Sequence, residues 1–489
     1  MDIRETLTLF DQLIKKGQGR KVRKAIKIFM QKHKIPRKHI VDFANIARRV
    51  QLPHMALKML NPIVRSKTPI TPSVNNEELA CYASCLSRIG AHGEAEKILN
   101  TINTKFNPEV LLYISFNYFF AWEYKKALPF LKKYRKSKNI SKYQKTVCEV
   151  NLAASYIAEG SLDQAKELLE TLLKSTKDSP LLHGNTLELC AQLYIHKNEY
   201  EKAKDSLLKA QNKLKNTQGL QSFYVKKWHA INQLLNSSIK TPSLVTRVLE
   251  VKKEAENRRN WETLRECDLY IAKATNDIEL FNTLYFGTSF SKYKMKIKNF
   301  MPKKFKIYKD YMFCKESYKR VFDIQIGQEL NSNIKLNPGG LLHKLFWVLV
   351  QDFYRPFRVG YLHAQIYPDE FYDSATSPDK ISQLISRLRS WFLNYDLPLK
   401  IIVNYGVVQL KIISPYAICL TKNSSLPEPL TTQVQRLKKE FQHKSFRQIE
   451  AALKLQISPR SCADLLKMAQ NEKLIAKQGY GKGSHYRTI

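Results

Sequence analysis

The sequence predicts a mainly α chain, an N-terminal α-solenoid of helical hairpins followed by two small α+β domains that each end in a β-hairpin. Three observations predict it. A spacing of small residues recurs five times between residues 40 and 215. Past residue 320 the apolar pattern shortens into strand-like runs alternating with helices. The 489-residue chain also carries 81 Lys+Arg against 43 Asp+Glu, a net charge of +38. Its 44% hydrophobic and 11% aromatic content is enough for packed cores, and its length suggests about three domains.

The recurring segments include YASCLSRIGAHGEAEKILN from residue 82, LAASYIAEGSLDQAKELLETLL from 152 and CAQLYIHKNEYEKAKDSLLKA from 190. Each has a small residue, a larger one three positions on, and an alanine nine beyond that. The sets are Ala44/Ala47/Ala56, Ala83/Leu86/Ala95, Ser115/Tyr118/Ala127, Ala153/Tyr156/Ala165 and Ala191/Tyr194/Ala203. This spacing fits two antiparallel helices that cross closely at the small residues while the larger side chain fills the groove between them. Gly90, Gly160 and Asn198 stand four positions after the larger residue, where the turn uses a left-handed backbone.

These segments resemble the tetratricopeptide-repeat family. Their intervals of 39, 32, 38 and 38 residues compare with a family standard of about 34, and the consensus tryptophan and proline are mostly missing, so the repeats are divergent. Residues 1–36 are expected to add a capping helix pair around Ala25. The stretch from 248 is expected to add a hairpin turning at Asn260, which takes the array over residues 1–285. The resemblance implies a concave groove that receives a peptide or protein ligand and carries no chemistry of its own. An architectural spacer is the alternative, and no groove residue is singled out.

Residues 286–319 form a basic junction. Between 291 and 320 there are eleven Lys/Arg against two acids, with lysine alternating with aromatic or aliphatic residues. That pattern reads as a strand with one wet face or as a loop along a phosphate backbone. Lys303 and Lys304 are candidates for the latter.

From 320 to 420 the order is strands at RVFDIQI and NSNIKLNPGG, helices at GLLHKLFWVLVQDF, VGYLHAQIY and SPDKISQLISRLRSWF, then a hairpin at LKIIVNYGVVQLKII. This is the order of a winged helix. The run from VFDIQIGQELNSNIKLNPGG to ISRLR at 385–389 resembles the DNA-binding domain of OmpR-type response regulators and related bacterial activators. In the third helix Ser377 is expected as N-cap and Pro378 as the first helical residue. Ile381, Leu384, Ile385, Leu388 and Phe392 recur at helical spacing and should be buried. That leaves Lys380, Gln383 and Arg387 on an outward face able to enter a major groove. Arg389 lies off that stripe and is expected to meet a phosphate or a carboxylate. In the wing, Asn404 and Tyr405 stand where the family usually has an arginine and a glycine.

After a linker at 421–430, residues 431–489 hold twelve Lys/Arg and four acids. SFRQIEAAL reads as a helix capped by its serine, SPRSCADLLKMAQNEKL as a second helix opening on Ser-Pro, and LIAKQGYGKGSHYRTI as a glycine-rich hairpin. The order resembles the winged helices of many bacterial repressors. DNA candidates are Arg460, Ser461 and Lys467 on the helix, with Lys482, His485 and Arg487 on the wing. Asp464 shares the helix's presumed reading face, and a protein-contacting winged helix is the alternative.

Together these features point to a bacterial transcriptional regulator: repeats receive a peptide or protein signal, and two winged helices bind double-stranded DNA. A homodimer is left open. The alternative is a repeat scaffold whose winged helices assemble proteins or bind RNA. No nucleophile–base set, phosphate loop or metal cluster is visible, so neither an enzyme nor a cofactor is expected. The eight cysteines are scattered without a CxxC pair, and Cys81 with Cys85, one helical turn apart, fits core packing better than metal. With no signal peptide or membrane span in the sequence, the expected location is the cytoplasm, in association with the nucleoid.

Overall fold

A computed structural model describes all residues other than Met1, 16–17, 67, 69–70, 139, 216–219, 239–240, 316, 405, 414, 443 and 481–483. The chain forms two compact units. The first comprises residues 1–284, 290–305 and 358–378; the second comprises 285–289, 306–357 and 379–489. Among the described residues, no helix is long and apolar enough to cross a membrane.

The first unit is an α-solenoid. Helices α1 (Ile3–Lys15) and α2 (Gly19–Lys32) cap it. Hairpins follow: α3/α4 (Ile40–Arg49, Pro53–Val64), α5/α6 (Asn76–Ile89, His92–Asn100), α7/α8 (Glu109–Phe120, Tyr124–Arg135) and α9/α10 (Lys142–Ala158, Leu162–Ser175). Three more complete the series: α11/α12 (Pro180–His196, Tyr200–Leu214), α13/α14 (Leu220–Asn236, Pro242–Asn257) and α15/α16 (Trp261–Thr275, Ile278–Phe286).

The small-residue spacing places the core as expected. Ala44, Ala83, Ser115, Ala153 and Ala191 are fully buried, as are their partners Ala56, Ala95, Ala127, Ala165 and Ala203. A larger side chain at any of these would push two backbones apart, because close-packed interiors hold no spare volume. The turn slot is left-handed in all five repeats, at Gln51, Gly90, Trp122, Gly160 and Asn198. Asn260 caps α15 by accepting from the Thr263 N–H (3.4 Å).

The basic junction departs from expectation. Its first third is not extended but forms helix α17 (Ser291–Phe300), with Tyr293 and Ile297 buried in the first unit. Phe290, Tyr293, Ile297 and Phe300 recur at helical spacing, and that periodicity overrides the alternating lysines. The strand reading holds further on, at β1 (Asp310–Cys314).

In the second unit β2 (Arg320–Asp323) and β3 (Gln328–Glu329) precede α18 (Leu341–Leu349). The strand expected at NSNIKLNPGG reduces to a single bridge between Gln328 and Lys335. The chain then passes through β4 (Phe357–Arg358) into the first unit, which takes α19 (Val359–Ile366), and returns within α20 (Ser377–Asn394). Hairpin β5/β6 (Leu399–Asn404, Val407–Ile412) follows with Asn404 opposite Val407. Strand β7 (Tyr416–Thr421), not expected from the sequence, runs antiparallel to β1 and parallel to β2 in a sheet of order β1–β7–β2–β3. Residues 416–420 are all buried, which suits a strand with neighbours on both sides.

The C-terminal winged helix comprises α21 (Pro429–Phe441), α22 (Gln448–Leu455), α23 (Pro459–Asn471) and hairpin β8/β9 (Ile475–Gln478, His485–Thr488). Helix α22 starts later than expected. Phe446 is extended and exchanges both backbone hydrogen bonds with Tyr486, so Ser445 cannot cap the helix, and the Glu450 carboxylate accepts from the Arg447 N–H instead (2.7 Å).

Candidate nucleic-acid interface

Helix α20 has the two faces its spacing requires. Ile381, Leu384, Ile385, Leu388 and Phe392 are buried, and Phe346 of α18 meets Phe392 edge-on at 5.2 Å. Lys380, Gln383 and Arg387 lie exposed along the opposite side. Burying five apolar side chains, at about 1.5–3 kcal/mol each, fixes the rotation of the helix and so decides which residues face outward.

The helix is braced at both ends. Near its start the Ser377 hydroxyl accepts from the Asp373 N–H (2.9 Å) and meets His363 Nε2 (3.1 Å). Toward its end Arg389 differs from expectation: its guanidinium donates through Nη2 (2.6 Å) and Nε (3.2 Å) to the Ile401 carbonyl in β5. Arg389 thus ties α20 to the β5/β6 hairpin, its planar fork satisfied by the nearby Ile401 carbonyl. Arg320 adds a second tie, donating to the Asp396 carbonyl and pairing with the buried Glu329. Asn404 closes the wing; Tyr405 lies outside the described residues.

His343 holds α18 from below. Its Nδ1 accepts from the Gly339 N–H (3.2 Å), which leaves the proton on Nε2 to donate to the Ile324 carbonyl (2.7 Å). Burial pulls its pKa down to about 4, so the ring is neutral.

In the C-terminal winged helix, Ser458 Oγ accepts from the Ser461 N–H (3.1 Å), and the two hydroxyls are 2.9 Å apart. Ser461, expected as a DNA contact, is thus engaged in capping α23. Arg460, Lys467 and Asp464 are exposed or half-exposed on that helix, Arg487 is exposed on β9, and His485 is half-buried opposite Gln478. Lys482 lies outside the described residues. Tyr480, at the wing tip, is 96% exposed.

The two winged-helix regions are joined inside the second unit by a residue that sequence reasoning missed. Arg436 of α21 is buried and donates to three carbonyls of the loops around β3: Ile326 (2.8 Å), Leu336 (3.0 Å) and Gly327 (3.3 Å). Lys439 pairs with Asp323 beside it. A buried guanidinium spending its donors on backbone carbonyls leaves no sequence signature, so only the fold reveals it. The exposed lysines Lys303, Lys304, Lys306, Lys309, Lys315 and Lys319 add to the positive surface.

No family model matches the sequence, and no curated protein matches it. Among solved structures, the chain is similar to a Rap protein complexed with competence and sporulation factor, with TM-score 0.41 and 12% identity over 58% of this chain and 85% of that one. It is also similar to the apo form of RapI, with TM-score 0.36 and 12% identity over 60% of this chain and 97% of that one.

Proposed function

We propose that the chain is a DNA-binding transcriptional regulator in which the α-solenoid receives a peptide or protein signal and the winged helices grip duplex DNA. One observation carries the reading. Helix α20 presents Lys380, Gln383 and Arg387 on one exposed face while its other face is buried and Arg389 locks it to the wing. Bidentate and amide donors on a fixed helix are what base-edge recognition needs, and a net charge of +38 supplies phosphate attraction. The OmpR-like motif supports the same assignment of roles.

Fluorescence anisotropy on labelled random duplex DNA across a salt series tests it. Binding should weaken linearly in log–log form, with several counterions released. Replacing Lys303 and Lys304 by alanine should flatten the slope by up to about one for each phosphate that is no longer neutralised. Binding independent of salt would sink the reading.

For the C-terminal winged helix a second reading has an observation in its favour. Ile449 (67% exposed) and Leu453 (71%) lie one turn apart on α22, and Asp464 stands on α23. Exposed apolar pairs and an acid suit a protein partner better than a phosphate backbone. A footprint that does not shorten on removal of residues 430–489 would assign that region to protein.

A further inference from the structure

The first unit holds helix α17 in an unusual setting. It is touched from three different hairpins. Trp122, in the α7/α8 turn, stacks edge-on against Tyr293 at 4.7 Å and lies 6.3 Å from Phe290. His196, at the end of α11, approaches Phe300 at 6.4 Å, and Tyr270 of α15 meets the same ring at 5.7 Å. Arg265 of α15, fully buried, lies over both Tyr293 and Phe290.

Charges of both signs surround it: Lys273 lies over the Phe300 ring at 4.9 Å, and a carboxylate faces Lys296. Glu266 pairs with Lys227 at 2.5 Å and lies 4.0 Å from Lys296 of α17, with buried Glu188 contributing to the same field. Burial alone would raise the Glu266 carboxyl, but Lys227 and Lys296 more than offset it and hold it below the usual range. The seat therefore keeps a negative charge where a helix lysine arrives.

Contact with three non-adjacent hairpins at once distinguishes this seat from the packing between neighbouring repeats. The hydroxyls of Tyr270 and Tyr293 are buried there without a hydrogen-bond partner among the described residues.

We infer that α17 is a built-in ligand of the solenoid, and that the external ligand is a helix of the same chemistry, with aromatic residues at i, i+3 and i+10, an aliphatic at i+7 and a lysine at i+6. The inference rests on the solenoid's receiving a peptide and names the class of that peptide. An internal copy competes at an effective concentration on the order of mM, so the unaltered chain responds only to a ligand that fits better or is abundant.

The test uses the full chain and a fluorescein-labelled synthetic peptide of residues 288–302. Lys296→Glu places a carboxylate opposite Glu266 and should release α17, so that this variant binds the peptide at least 10-fold more tightly than the unaltered chain. A peptide carrying the same charge reversal should not bind. Equal or absent binding to both chains, with the variant still melting cooperatively, overturns the inference. Hydrogen exchange on the unaltered chain decides independently of any variant. Amides of α17 should exchange at least 100-fold faster than those of α15, and matched protection would make α17 fixed core. Peptide binding that leaves DNA affinity unchanged would keep the inference and reject the signal-receiving reading instead.

Discussion

Helices α19 and α22 occupy the same place in the two winged-helix regions, as the first helix of the helix-turn-helix pair, and they are buried by different means. Helix α22 packs in its own small domain, where Ala451, Ala452 and Leu455 share a core with Leu437, Phe446, Leu466 and Tyr486. Helix α19 belongs to the unit formed by the solenoid. There Tyr361 lies against Gly90, where an added Cβ would come within 2.6 Å of the Tyr361 Cβ, and Gly360 packs on Ile89. The loop after it inserts Tyr372 into the solenoid core. The Tyr372 N–H donates to Glu94 (2.8 Å), and its carbonyl accepts from the Tyr82 hydroxyl (3.4 Å). The C-terminal region has a core of its own and is tied to the loops around β3 through Arg436, whereas α19 shares its core with the array.

Excision tests this difference most severely. Residues 421–489 should give a cooperative helical melt alone, whereas 306–420 should stay largely unfolded by circular dichroism; a folded 306–420 fragment would erase the contrast. Next comes Tyr372→Ala, expected to cost about 3–5 kcal/mol in the melt of the first unit and to weaken the α20 reader with it. Leu466→Ala, of similar cost at about 2–5 kcal/mol, should leave the α20 reader untouched. Loss of DNA affinity from both alike would mean that the two regions are not independent.

A smaller effect is expected from Arg387→Ala, about 1–3 kcal/mol at a preferred sequence with most non-specific affinity retained. Arg460→Ala should cost less if the C-terminal helix contacts protein. The smallest concerns acidity. His343 titrates near 4 when folded and near 6.5 when unfolded, so the unfolded chain takes the proton first. The second unit should be at full stability above about pH 6.5 and lose at most about 3 kcal/mol as pH falls toward 4. His343→Gln should flatten that part of its denaturation profile.

Local signals were legible in the sequence. The alanine spacing located the helix crossings, and Gly90, Gly160 and Asn198 marked turns that are left-handed as read, because helix packing and turn chemistry are written within some forty residues of chain. The buried and exposed faces of α20 were legible for the same reason. What escaped was distant or masked. Nothing in YLHAQIYPDEFYD says that its last tyrosine, Tyr372, enters a core that holds Tyr82, 290 positions earlier. Arg436 looks like any surface arginine until its three carbonyls are seen. In α17 the alternating lysines drew attention from Phe290, Tyr293, Ile297 and Phe300, whose spacing did announce a helix. Strand β7 went unread because its uniform burial gives no alternation to detect.

The last two crossings of the chain between the units, at 357/358 and 378/379, bear on how such a protein is made and how it can change. During synthesis the first 284 residues leave the ribosome before residue 372 exists, so the seat for Tyr372 can be complete when that residue arrives, in keeping with N-terminal regions folding first. Recombination that exchanged residues 320–420 as a cassette would carry off a piece of the solenoid's own core and leave a cavity around Tyr82. The first winged helix is therefore inherited with its solenoid, and the C-terminal one with the β3 loops whose carbonyls Arg436 satisfies.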